Sequence, residues 1–125
     1  MTKVLLSIKP EFVSKIFDGT KKYEFRKVLF KRDDISTIVV YSSSPICQVV
    51  GEFNVDEILC DNAESIWERT KDYAGVTKEF YFTYFNGRET AVAIKIGRIK
   101  KYKYPKKLSN FNVKKAPQSF YYLDK

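Results

Sequence analysis

The amino-acid sequence predicts one α+β domain, a small mixed β-barrel with helices on its flank. Its 125 residues are the size of an ordinary single domain, and 44% of them are hydrophobic, which suffices for a core. Another 16% are aromatic, a content that disordered chains lack. Strand and helix patterns follow in the order β-α-β-β-β-α-α-β-β, with no repeat or linker between them. We therefore treat residues 1–125 as a single domain.

The N-terminal half combines one helix with four strands. Pro10 is suited to the first turn of a helix because its missing N–H would have no partner there. Gly19 is the expected cap at the end of that helix. Gly51 interrupts the longest strand and indicates a bulge or a close backbone approach. The predicted strands of this half are residues 3–8, 22–26, 36–41 and 46–59.

The C-terminal half begins with two predicted helices. Asp61 or Asn62 caps the first, which runs to about Tyr73 and ends before Gly75. Thr77 caps the second, whose aromatic residues are expected in the core. The remaining segments are a strand at residues 90–99, a basic loop at 100–115 and a last strand at 116–123.

The composition excludes several kinds of chemistry. The chain has no histidine, which removes Ser–His and Cys–His nucleophile pairs and nearly all catalytic zinc sites. Cys47 and Cys60 have no metal-ligand spacing, and we expect them to be small, buried or half-buried residues in a reducing, cytoplasmic setting. No apolar run reaches 18 residues and no signal peptide is evident, so no membrane partner is expected. We predict neither a cofactor nor a metal.

The net charge of +8 is unevenly distributed along the chain. Residues 1–32 hold nine basic and three acidic groups, and residues 95–125 hold ten basic groups and one acid. Residues 33–94 hold four basic and eleven acidic groups. If the two basic segments meet in space, polyanions are their natural partner. Solubility alone is the competing explanation of the charge.

The stretch Gly19–Arg26 carries the most informative motif, G-x-K-x-x-E-x-R, at a helix-to-strand junction. Strand alternation places Tyr23 and Phe25 towards the core, and Glu24 and Arg26 together on the other side. Lysine and arginine donate to phosphate or base carbonyls, and a carboxylate accepts from an exocyclic amine. The plain alternative is a surface ion pair beside a solvated lysine.

These residues resemble the ASCH domains of the PUA-like superfamily. The resemblance covers most of the chain and rests on Leu6–Pro10, Gly19–Arg26, Tyr41–Pro45 and Gly51-Glu52. It implies a cleft across a β-barrel that receives RNA or a modified nucleoside. Some members are amidohydrolases of N4-acetylcytidine with a catalytic Lys, Thr and Glu. The lysine falls on Lys21, but the threonine position holds Glu24, which departs from the hydrolase pattern.

The candidate site combines the motif with residues near other strand ends. Tyr23 or Tyr41 could stack on a base, and the strand-end serines could bind an anion. The resemblance adds Lys9 and Gln118. The predicted ligand-binding residues are Lys9, Lys21, Glu24, Arg26, Tyr41, Ser42, Ser43 and Gln118. If the chain is an enzyme, the predicted catalytic residues are Lys21 and Glu24.

Three function classes follow from the sequence. The leading hypothesis is a binding module for RNA or a nucleotide-like ligand, acting in RNA metabolism or transcriptional regulation; DNA also fits the charge. The second is a small hydrolase of RNA or modified nucleosides, in which a lysine of depressed pKa serves as base. The third is a protein-interaction domain that uses the acidic helical segment 52–89. The sequence does not determine the oligomeric state.

Overall fold

The computed structural model describes residues 2–123, which form six β-strands and three α-helices in the predicted order. The strands are β1 (Lys3–Ile8), β2 (Tyr23–Arg26), β3 (Thr37–Ser42), β4 (Gln48–Asp61), β5 (Ala91–Lys106) and β6 (Phe120–Leu123). The helices are α1 (Pro10–Asp18), α2 (Ala63–Thr70) and α3 (Lys78–Tyr84), and short 3-10 turns span Lys71–Tyr73 and Leu108–Phe111. The α+β class is confirmed. No helix in this part of the chain is long and apolar enough to cross a membrane.

The strands form one mixed sheet in the order β2-β5-β4-β3-β1-β6. Strands β1 and β3 are parallel, and the other neighbouring pairs are antiparallel. Within residues 2–123, no backbone ladder joins the edge strands β2 and β6, so the sheet is not closed and the predicted small mixed β-barrel is not confirmed. Arg26 at the end of β2 donates from Nη2 to the carbonyl of Ser119, just before β6, at 2.7 Å. A side chain therefore bridges the two edges.

The helix ends follow the predicted capping residues. Pro10 lies in the first turn of α1, and Gly19 ends the helix in the left-handed region at φ 88°. Asn62 accepts from the backbone N–H of Ser65, and Thr77 does the same for Phe80 in α3. Pro10 and these three caps mark where α1 begins and ends and where α2 and α3 begin. The run predicted as one helix to Tyr73 is divided, because α2 ends at Thr70 and a 3-10 turn continues it.

The basic segment and the two cysteines differ from what the sequence predicts. The basic segment expected as a loop continues β5 to Lys106, because Gly51 pairs with Lys101 and Val49 with Lys106 across from β4. Its alternating lysines and tyrosines lack the apolar alternation that marks a strand. Both cysteines are exposed. Cys60 follows the buried Leu59 on β4, so strand alternation turns its side chain outward.

Three apolar clusters hold the domain together. The largest lies between α1 and one face of the sheet, the second packs α2 and α3 on β2 and β5, and the third covers the other face of β1 and β3. Leu5 and Tyr41 belong to this third cluster, under Val113. The second cluster matters for function because it fixes α3 beside β2.

Candidate functional site

A cavity of about 290 Å³, which we call the cleft, opens where the end of β1, β2 and α3 meet. Its volume is at the lower end of small-molecule sites, which hold about 300–1,000 Å³. The residues that line it are Ser7, Ile8, Lys9, Phe12, Lys21, Glu24, Phe25, Arg26, Val76, Phe80, Tyr81, Tyr84 and Gln118. The cleft thus combines cations, one carboxylate and several aromatic rings.

Strand β2 divides its side chains between the core and the cleft. The Phe25 ring packs edge-on against Tyr81 and Phe85, with centroids 5.1 and 6.3 Å away. On the other side, Arg26 Nη1 lies 3.3 Å from Glu24 Oε2, and these side chains are only 13% and 7% exposed. The pair is therefore largely desolvated, unlike a surface ion pair. Arg26 is fixed a second time by its bond to the Ser119 carbonyl.

Lys21 is the most deeply buried cation of the cleft, at 2% exposure. Its ammonium donates to the Ala74 carbonyl at 2.7 Å and lies 4.9 Å from the centre of the Phe25 ring and 5.2 Å from that of Phe12. Desolvation lowers the pKa of Lys21 to about 8, opposed by the nearby Glu24 carboxylate. The alternative of a solvated lysine is excluded.

Gly75 makes room for the Lys21 stem. Its φ is +72°, and a Cβ built there would lie 2.5 Å from both Cβ and Cγ of Lys21. A side chain at this position would therefore collide with the lysine and also strain the backbone. The segment from Tyr73 to Gly75 stays close through a bond from the Lys22 N–H to the Tyr73 carbonyl, at 2.8 Å.

Helix α3 presents one aromatic face to the cleft and one to the core. Phe80 and Tyr84 are nearly parallel, with centroids 6.2 Å apart and an interplanar angle of 9°. Tyr81 and Phe85, one position further along, are buried in the second cluster. The expectation that all these aromatics are core residues is therefore wrong for Phe80, which is 38% exposed, whereas Tyr84 is half-buried and packs against the second cluster while it also lines the cleft. Their i, i+4 spacing is the signal that could have separated the two faces.

Two further cleft residues come from the ends of β1 and β6. Lys9 follows β1, and its ammonium lies 5.6 Å from the centre of the Phe80 ring. Gln118 belongs to the segment before β6, which Ser7 holds by donating from Oγ to the Pro117 carbonyl at 2.9 Å. The cleft thus brings together five of the eight predicted site residues. They are Lys9, Lys21, Glu24, Arg26 and Gln118.

The three other predicted residues lie outside the lining of the cleft. Tyr41 is buried in the third cluster, on the other side of the sheet from the main core. Ser42 is also buried, and the backbone N–H of Ser43 donates to the Ile8 carbonyl at 3.0 Å. These groups serve the β1–β3 junction in this structure. Among residues 2–123, no group of three or more Cys, Asp or Glu side chains is arranged to hold a metal ion.

Comparison with known families and proteins identifies relatives of this chain. A family profile described as "Domain of unknown function (DUF365)" matches residues 1–116. The chain is 31% identical over 121 residues to the ATP synthase subunit alpha of Ureaplasma parvum, covering 96% of this chain and 15% of that protein. It is 30% identical over 123 residues to the large ribosomal subunit protein uL22 of the same species, covering 96% and 39%. The chain thus spans less than half the length of both relatives.

A second group of relatives consists of ASCH proteins. An "ASCH domain-containing ribonuclease" of Zymomonas mobilis is 29% identical over 91 residues, which are 73% of this chain and 62% of that protein. The crystal structure of ASCH from Zymomonas mobilis superposes with a TM-score of 0.89 at 26% identity, covering 98% of this chain and 88% of the other. The observed fold is therefore the ASCH fold.

Proposed function

We propose that this chain, which belongs to the DUF365 family and to the ASCH domain family, binds RNA by taking one nucleotide into the cleft. The observation that carries the proposal is the burial of Lys21 beside the Glu24–Arg26 pair, at the wall of an open cavity. Burial of a charged group costs folding free energy, and a protein tolerates it most readily where the group has a task.

The polar groups of the cleft suit the edge and phosphate of a nucleotide. An ammonium has three donors, and the Ala74 carbonyl takes one from Lys21, which leaves two for a ligand. Arg26 and Lys9 add donors for phosphate oxygens. Glu24 can accept from the exocyclic amine of a base, as carboxylates do from cytosine. The cleft therefore favours a base that offers an amine beside an acceptor.

The aromatic wall suits the flat face of a base. Phe80 is 38% exposed and stands parallel to Tyr84, so an unstacked base can lie against this wall. Stacking of a base on an aromatic side chain is typically worth about 1–3 kcal/mol. Free single-stranded RNA offers such bases, whereas a paired duplex hides them. The basic chain and the relatives named as a ribonuclease and a ribosomal protein agree with RNA as the ligand class.

The test is a fluorescence-anisotropy titration of a short single-stranded RNA at several salt concentrations. Lys21→Met and Arg26→Ala are expected to weaken binding at least tenfold, since each removes a charge-assisted contact. Lys22→Met is the matched control, because Lys22 is the adjacent, exposed lysine and lies outside the cleft lining. Equal losses of affinity in all three variants would show that the cleft does not bind RNA. So would an affinity that is unchanged in Lys21→Met and Arg26→Ala. The same titration with DNA tests the sugar preference.

RNA cleavage is the second candidate function, favoured by the relative named as a ribonuclease and by the lowered pKa of Lys21. The free amine of Lys21 could act as general base, with Glu24 and Arg26 beside the reacting group. Since Glu24 occupies the threonine position of the amidohydrolases, we do not extend this candidate to deacetylation. Binding through the ammonium is expected to weaken above pH 8, whereas cleavage through the free amine is expected to speed up. Intact RNA at high protein concentration over pH 7–9 would contradict cleavage.

A further inference from the structure

A second concavity of about 670 Å³, which we call the groove, lies outside the cleft. Lysines and aromatic residues dominate its wall, with one carboxylate, Glu52, among them. The side chains that matter here are Lys3, Lys100, Lys106, Tyr102, Phe111 and Tyr121. These residues come from β1, β5, β6 and the 3-10 turn before β6. The proposed function so far gives none of them a role.

The groove and the cleft lie towards opposite ends of β1. Ser7 and Ile8, which point to opposite faces of the strand, both line the cleft, and Lys3, which lines the groove, shares one of these faces with Ser7. Four residues separate them, which at a rise of about 3.3 Å per residue is about 13 Å. Tyr121 pairs with Leu5, which lies between them on β1, so its ring is on this face too. A short nucleic-acid strand can span that distance.

The charge of the groove is positive although it contains a carboxylate. Glu52 Oε1 accepts from Tyr102 Oη at 2.8 Å and lies 3.4 Å from Lys3 Nζ, so its charge is already paired. Lys100 and Lys106 remain as cations. Lys106 Nζ lies 4.7 Å from the centre of the Tyr102 ring, which holds it over the groove wall. The groove thus presents cations on an aromatic floor.

We propose that the groove binds the backbone and a stacked base of single-stranded RNA, a few nucleotides along the strand from the nucleotide that lies in the cleft. This inference rests on the proposed function, and it adds that the chain recognises a strand rather than a free nucleotide. Proteins that bind single strands combine a cationic groove with aromatic rings on which bases stack. Tyr121 is 47% exposed, so its ring is open to a base. Lys100 and Lys106 would neutralise phosphates of the strand within the groove.

The experiment compares a dinucleotide with an eight-nucleotide single-stranded RNA of mixed sequence. Wild type is expected to bind the longer RNA at least tenfold more tightly, because only that ligand reaches both sites. The groove variant Lys100→Gln with Lys106→Gln is expected to lose about tenfold for the longer RNA and little for the dinucleotide. Its salt slope is expected to fall by about 1.4, at about 0.7 for each phosphate contact on a single strand. Tyr121→Ala is expected to lose a further several-fold through stacking.

The control variant carries the same change of charge elsewhere. Lys78→Gln with Lys114→Gln removes two exposed lysines that line neither cavity. Equal losses in the control and groove variants would overturn the inference, since net charge alone would then explain the effect. Equal affinity of wild type for both RNA lengths would overturn it too, while the cleft proposal would stand.

The failure of the cleft proposal gives a different pattern. RNA binding that depends on Lys100 and Lys106 but is unchanged in Lys21→Met would overturn the cleft and support the groove as an RNA site. Absence of binding by wild type to either RNA at low salt would overturn both. A double-stranded RNA that competes as well as the single strand would overturn the groove inference, because the stacking ring needs an unpaired base.

Discussion

The cleft and the groove are built from the same residue types but differ in burial. In the cleft, the Glu24–Arg26 pair is 7% and 13% exposed, and Lys21 is almost fully enclosed. In the groove, the Lys3–Glu52 pair is 43% and 18% exposed. The pKa of Lys21 falls to about 8 because its charge is desolvated. The residue types that surround a lysine therefore do not determine whether its pKa is lowered or its charge is solvated; burial does.

The backbone around each lysine explains the difference. Lys21 is covered by the segment at Ala74 and Gly75, which gives a carbonyl to its ammonium and has no side chain against its stem. No such cover lies over Lys100, which is exposed on the open end of β5. The comparison predicts that changes near the cleft alter stability strongly and that changes in the groove do not. Four variants test this, in order of expected effect.

Gly75→Ala is expected to cause the largest loss, about 3 kcal/mol of unfolding free energy. The new methyl would overlap the Lys21 stem, and overpacking typically costs about 1–3 kcal/mol. Left-handed strain adds about 1–2 kcal/mol. Urea denaturation measures the change. The matched control is Gly87→Ala, which has a similar φ of +80° but no atom within 4 Å of the built Cβ, so only the strain should appear. Equal losses of stability at both glycines would mean that the Lys21 side chain moves away from the new methyl group at no measurable cost.

Arg26→Lys is expected to cost about 2 kcal/mol although the charge is kept. The guanidinium reaches both Glu24 and the Ser119 carbonyl, and a lysine cannot hold both at once. Hydrogen bonds to charged groups are each worth about 1.5–3 kcal/mol. Arg69→Lys on the exposed face of α2 is the control and should change stability by less than about 0.5 kcal/mol. A loss at Arg26 no larger than at Arg69 would show that the bridge between the sheet edges is not important.

Lys21→Met is expected to increase stability at pH 7 by about 1 kcal/mol while RNA binding is lost. Lowering the pKa of Lys21 from 10.5 to about 8 corresponds to a burial cost of about 3 kcal/mol, which the variant no longer has. The variant leaves the Ala74 carbonyl without its donor, which costs about 1–3 kcal/mol and offsets part of this gain. The burial cost is fully present below pH 8. It shrinks as the pH rises towards 10.5, because folded wild type releases the proton before the unfolded chain does. Urea unfolding of both proteins at pH 7 and pH 9.5 measures this, and an advantage that grows with pH would contradict the assignment.

These variants also mark what the sequence could predict. Strand alternation correctly separated Phe25 from Glu24 and Arg26, and Pro10 and Gly19 correctly bounded α1, because those signals act over a few residues. The burial of Lys21 could not be predicted, since its cover lies 53 residues away at Ala74. Such contacts depend on how the elements pack, which no local pattern records.

The same argument explains the other misses. Ser42 ends β3 and Ser43 follows it, a position where polar groups commonly bind ligands, but here the Ser43 N–H donates to the Ile8 carbonyl of the parallel neighbour β1. The face of α3 with Phe80 and Tyr84 was readable from i, i+4 spacing, but Tyr81 and Phe85 form a second aromatic pair beside it, and spacing alone does not show which pair lines a cavity. The open edge between β2 and β6 depends on tertiary packing alone.

Lys3→Met is expected to have the smallest effect, less than about 0.5 kcal/mol, because exposed ion pairs are worth about 0–1 kcal/mol. Glu52 also keeps its bond from Tyr102 in this variant. A double-mutant cycle with Glu52→Gln isolates the coupling between the two charges, and the cycle of Arg26→Lys with Glu24→Gln is its counterpart in the cleft. We expect the cleft coupling to exceed the groove coupling and to persist at high salt, since buried pairs are screened less. Equal couplings that vanish together in salt would show that burial does not distinguish the two sites.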